Sequence, residues 1–291
     1  MHLLKPKSPA VFTFAFLALF IPASSLLASE IPGVSWRDLS DTDLSPEGKS
    51  ALSFHGDLWK HAETEHFVYH FIDEKDAKTV YEHAEAYYQW IKNFLGVERD
   101  PWKKKSHIFV FSDKPAWQKF NQRVRGGFFE AGGFTNGWEL FMFRESFWLA
   151  PEKVLAHELT HIILFRFLEG PIDLSLNEGF AEFVSFRQLA VQFDGDEYRL
   201  HVVAHIAKEQ FIPLETLLTM RDTPADKVEI FYQESELLVR FMVLNFNKKS
   251  FYGFLREISR GEDFKRALRD VYNLEFEDLN EKFEVFAVTY R

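Results

Sequence analysis

The chain has 291 residues and no cysteine. That excludes a disulfide-stapled scaffold, so stability must come from a hydrophobic core, and roughly 260 residues suffice for one. It also leaves no attachment point for a lipid anchor on cysteine. Positive charge is scarce: 34 lysines and arginines face 44 aspartates and glutamates, for a net charge of −10. An acidic chain is a poor partner for nucleic acid or anionic lipid. Beyond the N-terminus no apolar run approaches the ~20 residues of a membrane span. There is no internal repeat and no low-complexity stretch.

What is present begins with an N-terminal signal layout. Lys5 and Lys7 precede the apolar run from Val11 to Ile21, followed by Pro22 and the small residues Ala23, Ser24, Ser25, Ala28 and Ser29. This pattern predicts a secretory signal peptide over residues 1–29, cleaved between about Ser25 and Ser29. An uncleaved anchor helix is the alternative. Pro22 and the serines shorten the apolar span below what an anchor needs, which favours cleavage and an exported chain without a stable span. Cleavage removes two lysines and no acid, so the mature chain is more acidic still. With 33 phenylalanines, its core is expected to be rich in that residue.

Two portions follow, 30–150 and 151–291. Residues from Glu30 to about Asp57 carry Pro32, Gly33, Pro46 and Gly48 and read as a lead-in lying over the domain. Alternation in 66–72 predicts a strand. Ala77, Val80, Tyr81, Ala84, Tyr87, Tyr88, Ile91, Phe94 and Leu95 recur at helical spacing up to Gly96. A second strand is expected at 107–111, then a short helix capped by Ser112 or Asp113 and carrying Trp117 and Phe120. Glycines at 126–127 and 132–133 bracket a loop, and a third strand is expected at 138–143. After Pro151 the pattern is helical, with breaks near 170–173, 194–195, 212–213, 223–224, 247–250 and 261. Strands followed by helices make an α+β fold: an N-terminal mixed sheet with flanking helices, packed on a mainly helical C-terminal half.

The chemistry concentrates at 157–161, reading HELTH. Histidines four apart share one helix face, where two neutral imidazoles can hold one Zn²⁺. Glu158 adjoins the first histidine, positioned to act as a general base without being a ligand. Pro151 and Glu152 suit a helix start, and Gly170-Pro171 stops the helix. The segment is apolar nearly all round, so this helix should be buried and its polar residues need partners. Farther on, 176–182 read LNEGFAEF up to Phe183, offering Glu178 as a third ligand. Glu182, four residues later, shares its face, and is expected to accept from the outer nitrogen of a ligand histidine. Two solvated surface acids would be the plainer reading.

HELTH followed by LNEGFAEF resembles the gluzincin zinc peptidases, and most closely the small bacterial peptidase-MA-like proteins. The resemblance runs loosely from about Glu65 to the C-terminus and is specific only at 157–161 and 176–182. It implies a metallopeptidase with His157, His161 and Glu178 as ligands of one Zn²⁺, Glu158 as base, and a peptide or protein as substrate; the signal layout adds that it is exported. Tyr232 resembles the tyrosine that donates to the oxyanion in such enzymes, although a tyrosine packed at a helix start would look the same. The sixteen residues between His161 and Glu178 are somewhat fewer than in larger relatives, and the strand that marks aminopeptidases is missing from 132–143. His201 and His205 repeat the four-residue spacing without a glutamate after the first; they read as helix-face histidines, one of them a reserve oxyanion donor. His61, His66 and His70 read as a surface cluster. The rival function is a non-catalytic scaffold of the cell envelope that keeps the peptidase fold.

Overall fold

In the computed structural model, residues 30–100, 102–126, 132–144, 150–192, 206, 208–246 and 248–289 are described. The expected signal peptide, His201, His205 and the loop residues Phe128 and Phe129 lie outside them. The described part is α+β, with one mixed sheet and ten α-helices. The strands are β1 (Lys60–Glu63), β2 (Phe67–Phe71), β3 (Ser106–Phe111), β4 (Gly133–Thr135) and β5 (Glu139–Phe143). Their spatial order is β1-β2-β3-β5-β4, with β2, β3 and β5 mutually parallel and the two edge strands antiparallel.

The helices are α1 (Pro46–Leu52), α2 (Glu74–Leu95), α3 (Lys114–Arg125), α4 (Pro151–Phe167) and α5 (Leu174–Gln192), then α6 (Leu214–Thr219), α7 (Val228–Asn245), α8 (Lys248–Ser259), α9 (Phe264–Tyr272) and α10 (Phe276–Thr289). Local chemistry sets several ends. The Asp73 carboxylate accepts from Lys75 N at 3.0 Å to start α2, and Gly96 closes it at φ 67°. Asp113 caps α3 by accepting from Ala116 N, and Gly126 ends it at φ 73°.

Period-two alternation divides the sheet between two cores. Tyr69, Ile108, Val110, Leu140 and Met142 face the main core with α2 and α4. Phe109, Phe111, Phe141 and Phe143 face the other way, onto Trp59, Trp117 and Phe120. Ile31–Arg291 form one compact unit, and the main core runs from the sheet into the C-terminal helices. No helix among the described residues is long and apolar enough to cross a membrane.

Four details depart from the sequence reading. The lead-in contains a true helix, α1, whose start is capped by Ser45 Oγ accepting from Gly48 N at 3.0 Å. Two short edge strands, β1 and β4, are additional, and Gly133 belongs to β4 instead of a loop. Trp138 precedes β5 in the turn and is 46% exposed. The histidines at 61, 66 and 70 are not a surface cluster: His70 is fully buried and His66 nearly so. His70 Nδ1 lies 2.8 Å from His61 Nδ1 and its Nε2 lies 2.9 Å from His107 Nδ1, a line of imidazoles across three strands. Registry on one sheet face brings His61, His70 and His107 together and leaves His70 fully buried between the other two.

Candidate metal centre

Helix α4 carries His157, Glu158 and His161, and its start at Pro151 follows the expected N-terminal signal. Nearly every apolar side chain of α4 is buried, as its all-round apolar pattern implies; Phe165, 50% exposed, is the exception. Six residues, 168–173, turn the chain from α4 into α5, and α5 packs on both α4 and α7. This tight return accommodates the short spacing between His161 and Glu178. Gly170 permits it, because a Cβ there would lie 2.4 Å from the Ser259 carbonyl oxygen.

The three donor atoms converge. His157 Nε2 lies 3.1 Å from His161 Nε2, and Glu178 Oε2 lies 3.3 and 3.5 Å from these two nitrogens. A tetrahedral ion with bonds of 2.0–2.1 Å separates its ligand atoms by about 3.3 Å, so the spacing fits a single small divalent cation. Among the described residues no other trio of histidine and carboxylate ligands is so arranged. His161 Nδ1 is buried without a hydrogen-bond partner among the described residues.

Behind the trio, Glu182 Oε1 lies 3.0 Å from His157 Nδ1, and Glu182 Oε2 lies 3.2 Å from Lys153 Nζ. A carboxylate on Nδ1 keeps the proton there and leaves Nε2 free to face the cluster. Lys153 was not read from the sequence, although it precedes His157 by four residues and so shares its face of α4. Burial alone would discourage a charge on His157, yet the hydrogen bonds to Glu178 and Glu182 outweigh it and push its pKa up to about 10. Burial also opposes charge on Glu178, but the two histidines hold its pKa well below the usual carboxylate range. In both, the neighbours demand positive charge at the centre of the cluster, which a metal ion supplies as well as a proton does.

Glu158 stands outside the donor trio but lines the same cavity of about 500 Å³. Burial raises its pKa against the pull of His157 and His161. Strand β4 passes directly over it: a Cβ on Gly133 would come within 3.2 Å of Glu158 Cγ and 2.9 Å of Val154 Cγ1. Among the described residues no strand pairs with the outer edge of β4, and that edge borders the site. Gly132 O accepts from Phe143 N and Asn136 N donates to Glu139 O, so Gly133 and Thr135 turn their N–H and C=O away from β5. Asn136 and the buried Glu139 hold the following turn: Asn136 Oδ1 accepts from Trp138 N and Glu139 N, and Glu139 in turn accepts from Ser45 N and Ser45 Oγ.

Tyr232, in the first turns of α7, also lines the cavity, its ring centroid 6.4 Å from that of His157. Burial, reinforced by Glu178, pushes its pKa up to about 12, so the phenol keeps its proton. The four strongest motif residues, Tyr232 and Glu182 thus come together from three helices. A second hollow of about 560 Å³, beside Trp36 and Trp59, contains none of them. No protein-family model matches the chain, and no curated protein is significantly similar to it.

Proposed function

We propose that this chain is an exported zinc-dependent peptidase of the gluzincin type. The observation that carries the reading is the convergence of His157 Nε2, His161 Nε2 and Glu178 Oε2 at 3.1–3.5 Å, with an unligated carboxylate, Glu158, in the same cavity. The motif likeness of 157–161 and 176–183 to gluzincins supports the choice of metal, and the signal layout of residues 1–29 supports export.

A Zn²⁺ held by His157, His161 and Glu178 would act as a Lewis acid, acidifying a water and polarising the peptide carbonyl. Glu158 takes the proton released as the water attacks and hands it to the leaving amine. Its burial favours the first of these transfers, since a carboxylate with a raised pKa takes up a proton more readily. Tyr232 keeps its proton and donates a hydrogen bond to the oxyanion, a contribution whose loss costs ~10²–10³ in rate. Glu182, itself anchored by Lys153, orients the His157 imidazole. An extended peptide adding to the free edge of β4 would hydrogen-bond to Gly133 and Thr135 and lie across Glu158.

The test is Glu158→Gln. The amide matches the carboxylate in size but cannot accept the proton, so peptide hydrolysis should fall ~10²–10⁴-fold, while zinc content and melting temperature stay parental. Undiminished cleavage would mean that the proton goes elsewhere. A parent that holds zinc and cleaves nothing in a broad peptide library would favour the scaffold reading.

A further inference from the structure

Phe165 interrupts an otherwise buried helix, and it does so at the cavity wall. Its ring is 50% exposed, and Trp138, 46% exposed, meets it edge-on with centroids 5.2 Å apart. Exposed aromatic pairs are costly to leave in water, and this one is braced so that neither ring folds away. Gly137, at φ 91°, lays the β4–β5 turn directly on Phe165, where a Cβ would sit 3.3 Å from the ring. The Arg166 guanidinium stacks 4.0 Å from the Trp138 centroid while donating to Ser106 Oγ at 3.1 Å. Leu164, Leu168 and Ile172 line the same cavity, together with the polar Thr135, Asn136 and His161.

The ledge lies at a definable distance from the chemistry. Phe165 lies seven helical steps after Glu158, a rise of roughly 10 Å, which an extended peptide covers in about three residues. Strand β4 runs alongside in the same sense, with Gly133 at Glu158 and Gly137 at Phe165. A peptide pairing antiparallel with β4, the more stable mode, would have its N-terminal end at Gly137. We infer that the Trp138–Phe165 ledge seats a large apolar side chain about three residues N-terminal to the cleaved bond. This rests on the peptidase reading above and narrows its substrates to peptides carrying such a residue.

Two measurements test it. First, a peptide-library digest with the zinc-loaded chain locates cleavage sites, and a cleaved peptide is remade with Phe or Gly at the third position before the cut. The Phe peptide should have kcat/KM roughly tenfold higher, and that ratio should fall to near one in Phe165→Ala and in Trp138→Ala. Cleavage without enrichment at that position, or a ratio that survives both substitutions, overturns the inference. Second, a pair of extended peptides chosen independently of cleavage, and differing only by Phe or Gly at one position, is titrated against zinc-loaded Glu158→Gln and its Phe165→Ala double variant. Binding to these does not require turnover, and a Phe preference lost with Phe165 is the ledge's. Roughly tenfold tighter binding of the Phe peptide supports the ledge even if the parent hydrolyses nothing, in which case hydrolysis alone fails. Equal affinities there overturn the ledge whatever the parent cleaves.

Discussion

Gly179 sits between the proposed ligand Glu178 and the core residue Phe180, and it is where α5 and α7 touch backbone to backbone. A Cβ added there would lie 2.1 Å from the Ser235 carbonyl oxygen, 2.5 Å from its carbon and 3.1 Å from Val239 Cγ2. The nearest obstacle is main chain, which no rotamer change removes. Restoring ordinary contact requires the helices to part by about 1 Å, a shift that overpacking penalties place at ~3 kcal/mol. Alanine returns ~1 kcal/mol of helix propensity, so Gly179→Ala should destabilise by about 2 kcal/mol net. For a unit of this size that is a fall of roughly 4–8 °C in melting temperature. The same displacement carries Glu178 away from donors that now lie 3.3 and 3.5 Å away, so zinc should be lost to a chelator at lower concentration. Calorimetry and chelator competition on parent and variant check both effects. A variant that melts at or above the parental temperature and retains zinc equally would mean that helix propensity dominates and that the crossing does not hold the ligand in place.

Other expectations follow from the same geometry. Zinc analysis of purified protein should find one tightly bound ion, lost in His157→Ala and Glu178→Ala and kept in His201→Ala and His205→Ala; a reversed pattern would assign the wrong pair of histidines. Glu234 is fully buried, with one oxygen accepting from Ile212 N at 2.7 Å and the other unpartnered among the described residues. Burial outweighs that hydrogen bond and Lys227, raising its pKa from 4.5 to about 8. Because the folded value is the higher one, Glu234 favours the fold fully below pH 4.5 and progressively less up to about pH 8. The stability of Glu234→Gln relative to parent should therefore rise by about 1.4 kcal/mol per pH unit across that window; parallel stability–pH curves would show that the carboxyl ionises freely. Intact-mass measurement of exported material should place the mature N-terminus near Ser29 or Glu30, and retention of Met1 would refute the signal reading.

Much of this protein is legible because its determinants are local. The spacing of His157 and His161 forces them onto one helix face wherever the helix lies, and Glu178 and Glu182 share a face for the same reason. Asp113 and Gly96 mark helix ends through their own side-chain and backbone chemistry, and the structure uses both of them so. The continuous apolar run 108–111 of β3 suits a strand buried on both faces. Strands followed by helices suffice for the α+β class, which the structure bears out.

Tertiary structure decided the rest, because it depends on neighbours distant in sequence. Three residues of β4 carry too little alternation to register as a strand, and only pairing with β5 and the glycine contact with α4 make them one edge of the site. Periodicity sends Phe165 to the core, yet the β4–β5 turn meets it at the surface. His70 is polar and so reads as exposed, until strand registry sets it between His61 and His107. The motif identifies which residues belong at the centre, but their 3.1–3.5 Å convergence requires the turn at Gly170 and the close crossing at Gly179. Side-chain type and helical period are properties of the sequence alone; the distance between two helices is settled by what packs between them.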